Sequence, residues 1–395
     1  MDATSRQEQT FDAAESLLAQ EPVIIDGHTF LVERRLPYPG DLRVGVGDRV
    51  TADTVIGTGS PEAGRTVTVN VARELGVEPA AAARMLAKPI GSRLEAGEAL
   101  ARVRRGLRTV AVNAPIAGTL SGINDTTGLV TITPDVQEEE IRALIPGEVT
   151  QVIAEAGVLV RVAGARVRGI VTLGTDVHGR LRLAVDRRDR ELTAESVTAD
   201  LNGAIVVAGM TVSAVTIRRL AEVGARAVVV GSIDEVEARH AASGTTPVPA
   251  SIFWNTPDIQ SATRPPARPA MTIFVTEGFG RTPMARPIFD FLARHDGRDA
   301  AVVTTAGSSL PGGYLYLPDT APAQPDAAIP RVLPAEGVVA RLVDPARLGV
   351  MVECRGVPFV SRAGPGMAYD AITVEREDHE QLTVPFVNVE VLTVP

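Results

Sequence analysis

The sequence is nearly devoid of the residues on which much redox, metal and covalent-carrier chemistry depends. A single thiol, Cys354, in 395 residues excludes a disulfide framework, a thiolate zinc site and an iron–sulfur cluster. Lysine is equally scarce: Lys88 is the only one, and arginine supplies the rest of the 39 basic residues. Aromatic residues make up 4% of the chain, so cores must be built from Val, Ile, Leu and Ala. The longest apolar run, Ala204 to Val215, is broken by Gly, Thr and Ser and falls short of the roughly 20 residues a bilayer requires. Met1 to Gln20 shows no basic-then-apolar-then-small pattern, so no signal peptide is expected and the cytoplasm is the expected location. The histidines His28, His178, His240, His295 and His379 are scattered, with no two at metal-ligand spacing, and neither a metal nor another cofactor is expected. No Gly-x-Ser-x-Gly elbow is present, and Ser308-Ser309 reads as a loop. The formal charge of −9 argues against a broad phosphate-binding surface and makes nucleic acid an unpromising partner.

What is present is a succession of short strands. Residues 1–22 read as a polar tail. From 23 to 135, short β-branched runs are punctuated by Gly and Pro, the signature of small strands and tight turns. An internal repeat lies within this stretch: Gly47 to Gly57 lines up with Gly91 to Ala101. Ala114 to Leu120 adds a further turn–strand unit, closed by Gly128 to Ile132. This order resembles the barrel-sandwich hybrid of biotinyl/lipoyl carrier domains and the related N-terminal domain of the C component of the Rnf electron-transport complex. A carrier domain implies a modified lysine at the hairpin tip. The matching hairpin here is Arg104-Arg105-Gly106-Leu107-Arg108, and Lys88 lies before the second Gly turn. An arginine cannot form the amide link, so the resemblance implies fold without covalent carriage. The Rnf component implies cysteine-held clusters, which one thiol cannot supply.

Between the half-repeats, residues 69–88 read as a helix-turn-helix, with Gly76 in the turn and Pro79 in the first turn of a second helix. That second helix offers mostly alanine, with Arg84 and Lys88 late, whereas base readout needs polar side chains near its start. A structural hairpin is favoured over DNA binding. Residues 136–200 read as a small β module, and Asp186 to Glu191 as a solvated, mixed-charge turn. From 201 to 317 an α/β domain is expected. Ala204–Gly209, a helix over Ser213–Val223 and Ala227–Gly231 form a βαβ unit. Thr272–Val275, a helix over Pro283–His295 and Ala300–Val303 form a second strand–helix–strand. A Pro-rich linker, 318–330, then precedes residues 331–395. Their short strands and Val-Pro-x-x-Asn-x-Glu ending resemble the SH3-like barrel of KOW-motif proteins. The expected fold class is therefore multidomain α+β.

The candidate site is the Gly-rich turn between a buried strand and a helix: Glu277, Gly278, Gly280, Arg281, Thr282 and Arg286. With Thr282 as cap and Pro283 in the first position, free N–H groups and the two arginines would hold a phosphate or carboxylate. The turn should lie at the carboxyl end of a strand, where ligands of α/β sheets gather. A plain strand-to-helix turn is the competing reading. Cys354 beside Arg355 reads as a half-buried strand thiol, His295 as a residue near a helix end, and Trp254 as an anchor or an exposed recognition aromatic. Three functional readings follow. The first is a non-enzymatic multidomain binding or assembly protein with an unknown protein partner. The second is an enzyme or sensor for a small anionic ligand, and the third a nucleic-acid-associated protein.

Overall fold

A computed structural model describes residues 19–36, 38–60, 66–106, 108–135, 139–234, 236–238, 271–304, 312–319, 328–344, 346–362 and 368–393. Trp254 and His240 lie outside them. The fold is mostly β, with 51% of the described residues in strands and 14% in helices. No helix among the described residues is long and apolar enough to cross a membrane.

The centre is an eleven-stranded sheet. Four of its strands, Val177–Leu183, Ala204–Val207, Ala227–Ile233 and Thr272–Phe279, run parallel. Ala204–Val207 and Ala227–Ile233 are buried at every position, as continuous apolar strands covered on both faces must be. The expected βαβ unit is present. Ser213 caps the helix Ala214–Glu222 by accepting from Thr216 N at 3.2 Å, and Gly224 follows it at φ 86°. The second unit departs from expectation. After the helix Arg286–Arg294 the chain crosses to the far side of Val177–Leu183, and Asp299–Thr304 pairs with it antiparallel.

From Asp299–Thr304 the sheet continues through Gly313–Pro318, Gly157–Gly169 and Gly147–Ile153, and Ile24–Arg35 also pairs with Gly157–Gly169. Segments expected to form separate modules at 23–135, 136–200 and 201–317 thus share one sheet. The long strand Gly157–Gly169 makes this possible. Its two halves serve different partners, Gly147–Ile153 at one end and Gly313–Pro318 at the other. One core packs Ile205, Val228, Ile273 and Leu292 on the parallel half. A second gathers Phe30, Ile56, Ile145, Val160 and Tyr316.

The internal repeat is structural. Gly47 and Gly91 both have φ 91°. Thr54 N donates to Thr51 O at 3.1 Å, and Glu98 N to Glu95 O at 3.0 Å. Gly47 N bonds Val149 O as Gly91 N bonds Leu120 O. The two copies enter different cores, however. Val50 and Ile56 of the first pack into the second core of the central unit, with Phe30 and Val160. Leu94 and Leu100 of the second pack with Val71, Leu75, Leu120 and Ile132 in a core of their own. The unit holding this separate core leaves and re-enters the rest of the chain at paired positions, Gly59 facing Glu139.

Within it, the expected pair of helices at 69–88 is a strand, Val67–Asn70, a short helix, Val71–Leu75, and a 3₁₀ segment, Pro79–Met85. The first turn is as read, with Gly76 left-handed at φ 60°. The second element cannot extend as an α-helix. Glu78 provides no side-chain cap, and Pro89 disfavours helical geometry at Lys88. It is not a recognition helix.

The C-terminal segment is a five-stranded antiparallel sheet ordered Gln381–Pro385, Ala368–Arg376, Met351–Arg362, Val339–Leu342 and Val389–Val391. It is fastened to the start of the chain: Val23 N donates to Val391 O at 3.0 Å and Ile24 N to Leu392 O at 2.8 Å.

Candidate functional site

The strand Thr272–Phe279 is buried except at its last residue. Past its end the chain folds back over the neighbouring strand. Gly231 permits this, because a Cβ there would stand 2.4 Å from Met284 N. Ser232 then clamps the loop, its Oγ accepting from Thr282 N at 2.7 Å and donating to Thr282 O at 2.9 Å. Gly280 N donates to Ile233 O at 3.0 Å. Two of the N–H groups an external anion would need therefore already have partners.

The helix begins later than the spacing suggested. Its N-cap is Ala285, with no side-chain cap, and Pro287 rather than Pro283 occupies its first turn. Thr282 is held by Ser232 and is not the cap. Ala285 N is nevertheless bonded. It donates at 2.9 Å to Glu277 Oε1, which also accepts from Thr276 Oγ1 at 3.1 Å. The anion at this helix N-terminus is the protein's own Glu277 carboxylate, where the helix dipole and free N–H groups favour negative charge.

Glu277 has a cationic partner as deeply buried as itself. Arg341, on the strand Val339–Leu342 of the C-terminal sheet, donates from Nη1 to Glu277 Oε2 at 2.6 Å and to Thr276 O at 2.8 Å. The two side chains are 1% and 0% exposed. Arg341 Nε also donates to Glu390 Oε2 at 2.6 Å. Its Nη2 lies 2.5 Å from the same oxygen without a well-aligned hydrogen bond. Glu390 Oε1 in turn accepts from Arg168 Nη2 of the central sheet at 2.6 Å. Burial works against the charge of Arg341, but Glu277 and Glu390 outweigh it and hold the guanidinium above its ordinary pKa. Gly349 closes the joint: a Cβ there would meet Thr282 Cγ2 at 2.6 Å.

The expected site residues therefore part company. Glu277 and Gly278 are buried, while Arg281 and Arg286 are 63% and 76% exposed. Arg281 pairs with Glu191 at 2.8 Å and Arg286 with Asp290 at 3.5 Å. Beside the loop lies a cleft of about 450 Å³ lined by Arg188, Thr282, Pro283, Gly349, Arg376 and Asp378. Arg188 donates to Met284 O at 3.2 Å and has no carboxylate partner among the described residues. A neighbouring cleft of about 340 Å³ reaches Arg286, Arg355, Glu375 and His379. There, hydrogen bonds from His379, Arg355 and Gln381 hold Glu375 down at about 2.

The remaining single residues have structural surroundings. Cys354 is fully buried in the C-terminal core. Burial, with Glu353 and Glu336 nearby, pushes its thiol up to about 11, and Arg355 turns to carboxylates instead. His295 is the C-cap of its helix, with Nδ1 2.8 Å from Phe291 O. Burial, with Arg226 beside it, lowers the pKa of His178. No group of three His, Cys, Asp or Glu side chains among the described residues could hold a metal ion.

Sequence reasoning overlooked Arg341, Glu390 and Arg168. One signal was there: Glu277 and Arg341 are opposite charges each set inside an apolar strand run, and an isolated charge can be buried only with a partner. Compared with family models, curated proteins and solved structures, the chain matches none of them.

Proposed function

We propose that this chain is a non-enzymatic binding or assembly protein of α+β multidomain build, acting in the cytoplasm. In this reading the unit around Leu94 and Leu120 is a barrel-sandwich-like module without covalent cargo, and the C-terminal sheet is an SH3-like barrel. One observation carries it. The turn best suited to chemistry spends its carboxylate, its helix terminus and its nearest buried arginine on a fastening between the parallel strands and the C-terminal sheet. A site built to turn over a ligand would keep such groups accessible.

A thermal-shift screen against inorganic phosphate, nucleotides and sugar phosphates tests this. The expected result is no stabilisation at millimolar ligand, since a ligand held by the folded state raises apparent stability. A clear rise with a phosphate compound, lost in Arg188→Ala, would replace this reading with the second one, a small anionic ligand. The cleft beside Thr282, where Arg188 has no carboxylate partner among the described residues, favours that second reading.

A further inference from the structure

The net charge conceals a local reversal. From Arg65 to Asp135 the chain carries nine basic and six acidic residues, although the whole chain stands at −9. The basic residues are also segregated. From Ala99 to Asn124 no Asp or Glu occurs, and the arginines there, Arg102, Arg104, Arg105 and Arg108, all belong to one hairpin.

That hairpin is a two-stranded antiparallel ribbon, Ala99–Arg105 paired with Arg108–Asn113 and joined to no further strand among the described residues. Its register places Arg102 opposite Ala111 and Arg104 opposite Thr109. Alternation along each strand puts these four on one face, and all four are exposed. Arg108, opposite Arg105 at the tip of the ribbon, alternates to the other face but is exposed as well. The other face lies on the module, with Ala101 and Val112 buried in its core. Arg105 is committed, with Nη2 donating to Leu75 O and Gly76 O at 2.8 Å. Arg102, Arg104 and Arg108 have no carboxylate partner among the described residues. The acid nearest in sequence, Glu98, is bonded to Lys88 at 2.6 Å and feels Arg102 only more weakly. Elsewhere arginines such as Arg93, Arg298 and Arg355 each hold a carboxylate. An acid-free ribbon of unneutralised guanidinium groups, flanked on its outer face by Thr and Ala, presents a cationic surface that a polyanion can approach closely.

We propose that this ribbon binds the phosphate backbone of double-helical DNA without sequence preference. The shape favours a duplex. A two-stranded ribbon fits the B-form major groove, about 12 Å wide, whereas the A-form RNA major groove is too narrow for side-chain access. Single strands are bound by stacking bases on aromatic side chains, and no Phe, Trp or Tyr occurs between Arg65 and Asp135. The ribbon lies in a different unit from Glu277, so this proposal stands or falls independently of the function proposed above.

The test is fluorescence anisotropy of the full chain with a labelled 20-base-pair DNA duplex across a salt series, alongside the triple variant Arg102→Ala/Arg104→Ala/Arg108→Ala. Each released phosphate contact adds about 0.9 to the salt slope. The parent should therefore weaken by roughly 40- to 150-fold between 50 and 200 mM salt for three or four contacts. The triple variant should lower the slope by about 3 and keep the parent's melting temperature. Arg105→Ala, at the committed arginine, controls for a structural effect and should lower the melting temperature. No binding at 50 mM salt overturns the proposal, as does a triple variant with an unchanged slope. Binding to phosphatidylserine vesicles or poly-glutamate in place of DNA overturns it as well, by giving the ribbon another partner.

Discussion

Replacing Arg341 by Met should be among the most damaging single changes in the chain. The substitution keeps an unbranched apolar stem and removes the guanidinium. It deletes the donors at 2.6 Å to Glu277, 2.8 Å to Thr276 O and 2.6 Å to Glu390. Glu390 retains Arg168. Glu277 retains Ala285 N and Thr276 Oγ1, both on Oε1, so Oε2 is left as a buried anionic oxygen without a donor. Removing one member of a buried pair costs about 3–5 kcal/mol. With an unfolding entropy of about 2.1 cal/mol/K per residue, 395 residues unfolding together would lose roughly 5 °C for about 4 kcal/mol. Glu277→Gln keeps the shape and an acceptor for Ala285 N, and should cost less, about 1.5–3 kcal/mol. The decisive variant is the double change Glu277→Leu with Arg341→Met, which removes both charges. Its loss should fall short of the sum of Glu277→Leu and Arg341→Met by about 2 kcal/mol or more, because neither residue is then an orphan. Urea unfolding followed by circular dichroism measures all four variants. Arg341→Met within 1 kcal/mol of the parent, or strict additivity, would refute the account of this joint.

Further outcomes follow from the geometry at three residues. Gly349→Ala combines φ 77° with a Cβ 2.6 Å from Thr282 Cγ2, and should destabilise by about 1–3 kcal/mol in the same urea assay. Arg281→Ala breaks only an exposed pair with Glu191 and should leave stability within about 1 kcal/mol; a larger loss would make Arg281 structural. Cys354 should resist a thiol reagent at pH 8 in the native state. Its folded pKa of about 11 exceeds the ordinary 9.0, so between those values the native state holds a proton the unfolded chain releases, and stability falls as pH rises. Cys354→Ala should flatten the part of that alkaline decline due to this thiol, as read from urea midpoints at pH 8.5 and 10.5.

Local structure was readable where one residue type forces one geometry. The all-apolar runs Ala204–Val207 and Ala227–Val230, with Ser213 as cap and Gly224 as terminator, lead directly to the parallel unit. The paired glycines Gly47 and Gly91 likewise expose a repeat whose hydrogen bonds coincide. Partner choice was not readable. Nothing within Asp299–Thr304 says that it pairs antiparallel beside Val177–Leu183, because that depends on which apolar edge is nearest once the first strands are in place. The candidate site illustrates the same limit. Its Gly turn and helix start were located from composition to within a few residues. The occupant of that helix terminus came from the same strand, and its countercharge from Arg341, 64 positions later. Short motifs carry no information across such a separation.

The paired positions Gly59 and Glu139 have a kinetic consequence. Joining them in an unfolded chain closes a loop of about 80 residues, and each halving of loop length saves about 0.6 kcal/mol of closure entropy. If the intervening unit folds first around its own core, with Val67 paired to Ile132, the effective loop shrinks to about 15 residues. That is a little over two halvings, or roughly 1.5 kcal/mol. The inserted unit then acts as a splint for its host, bringing the strand before it and the strand after it together before the large sheet forms.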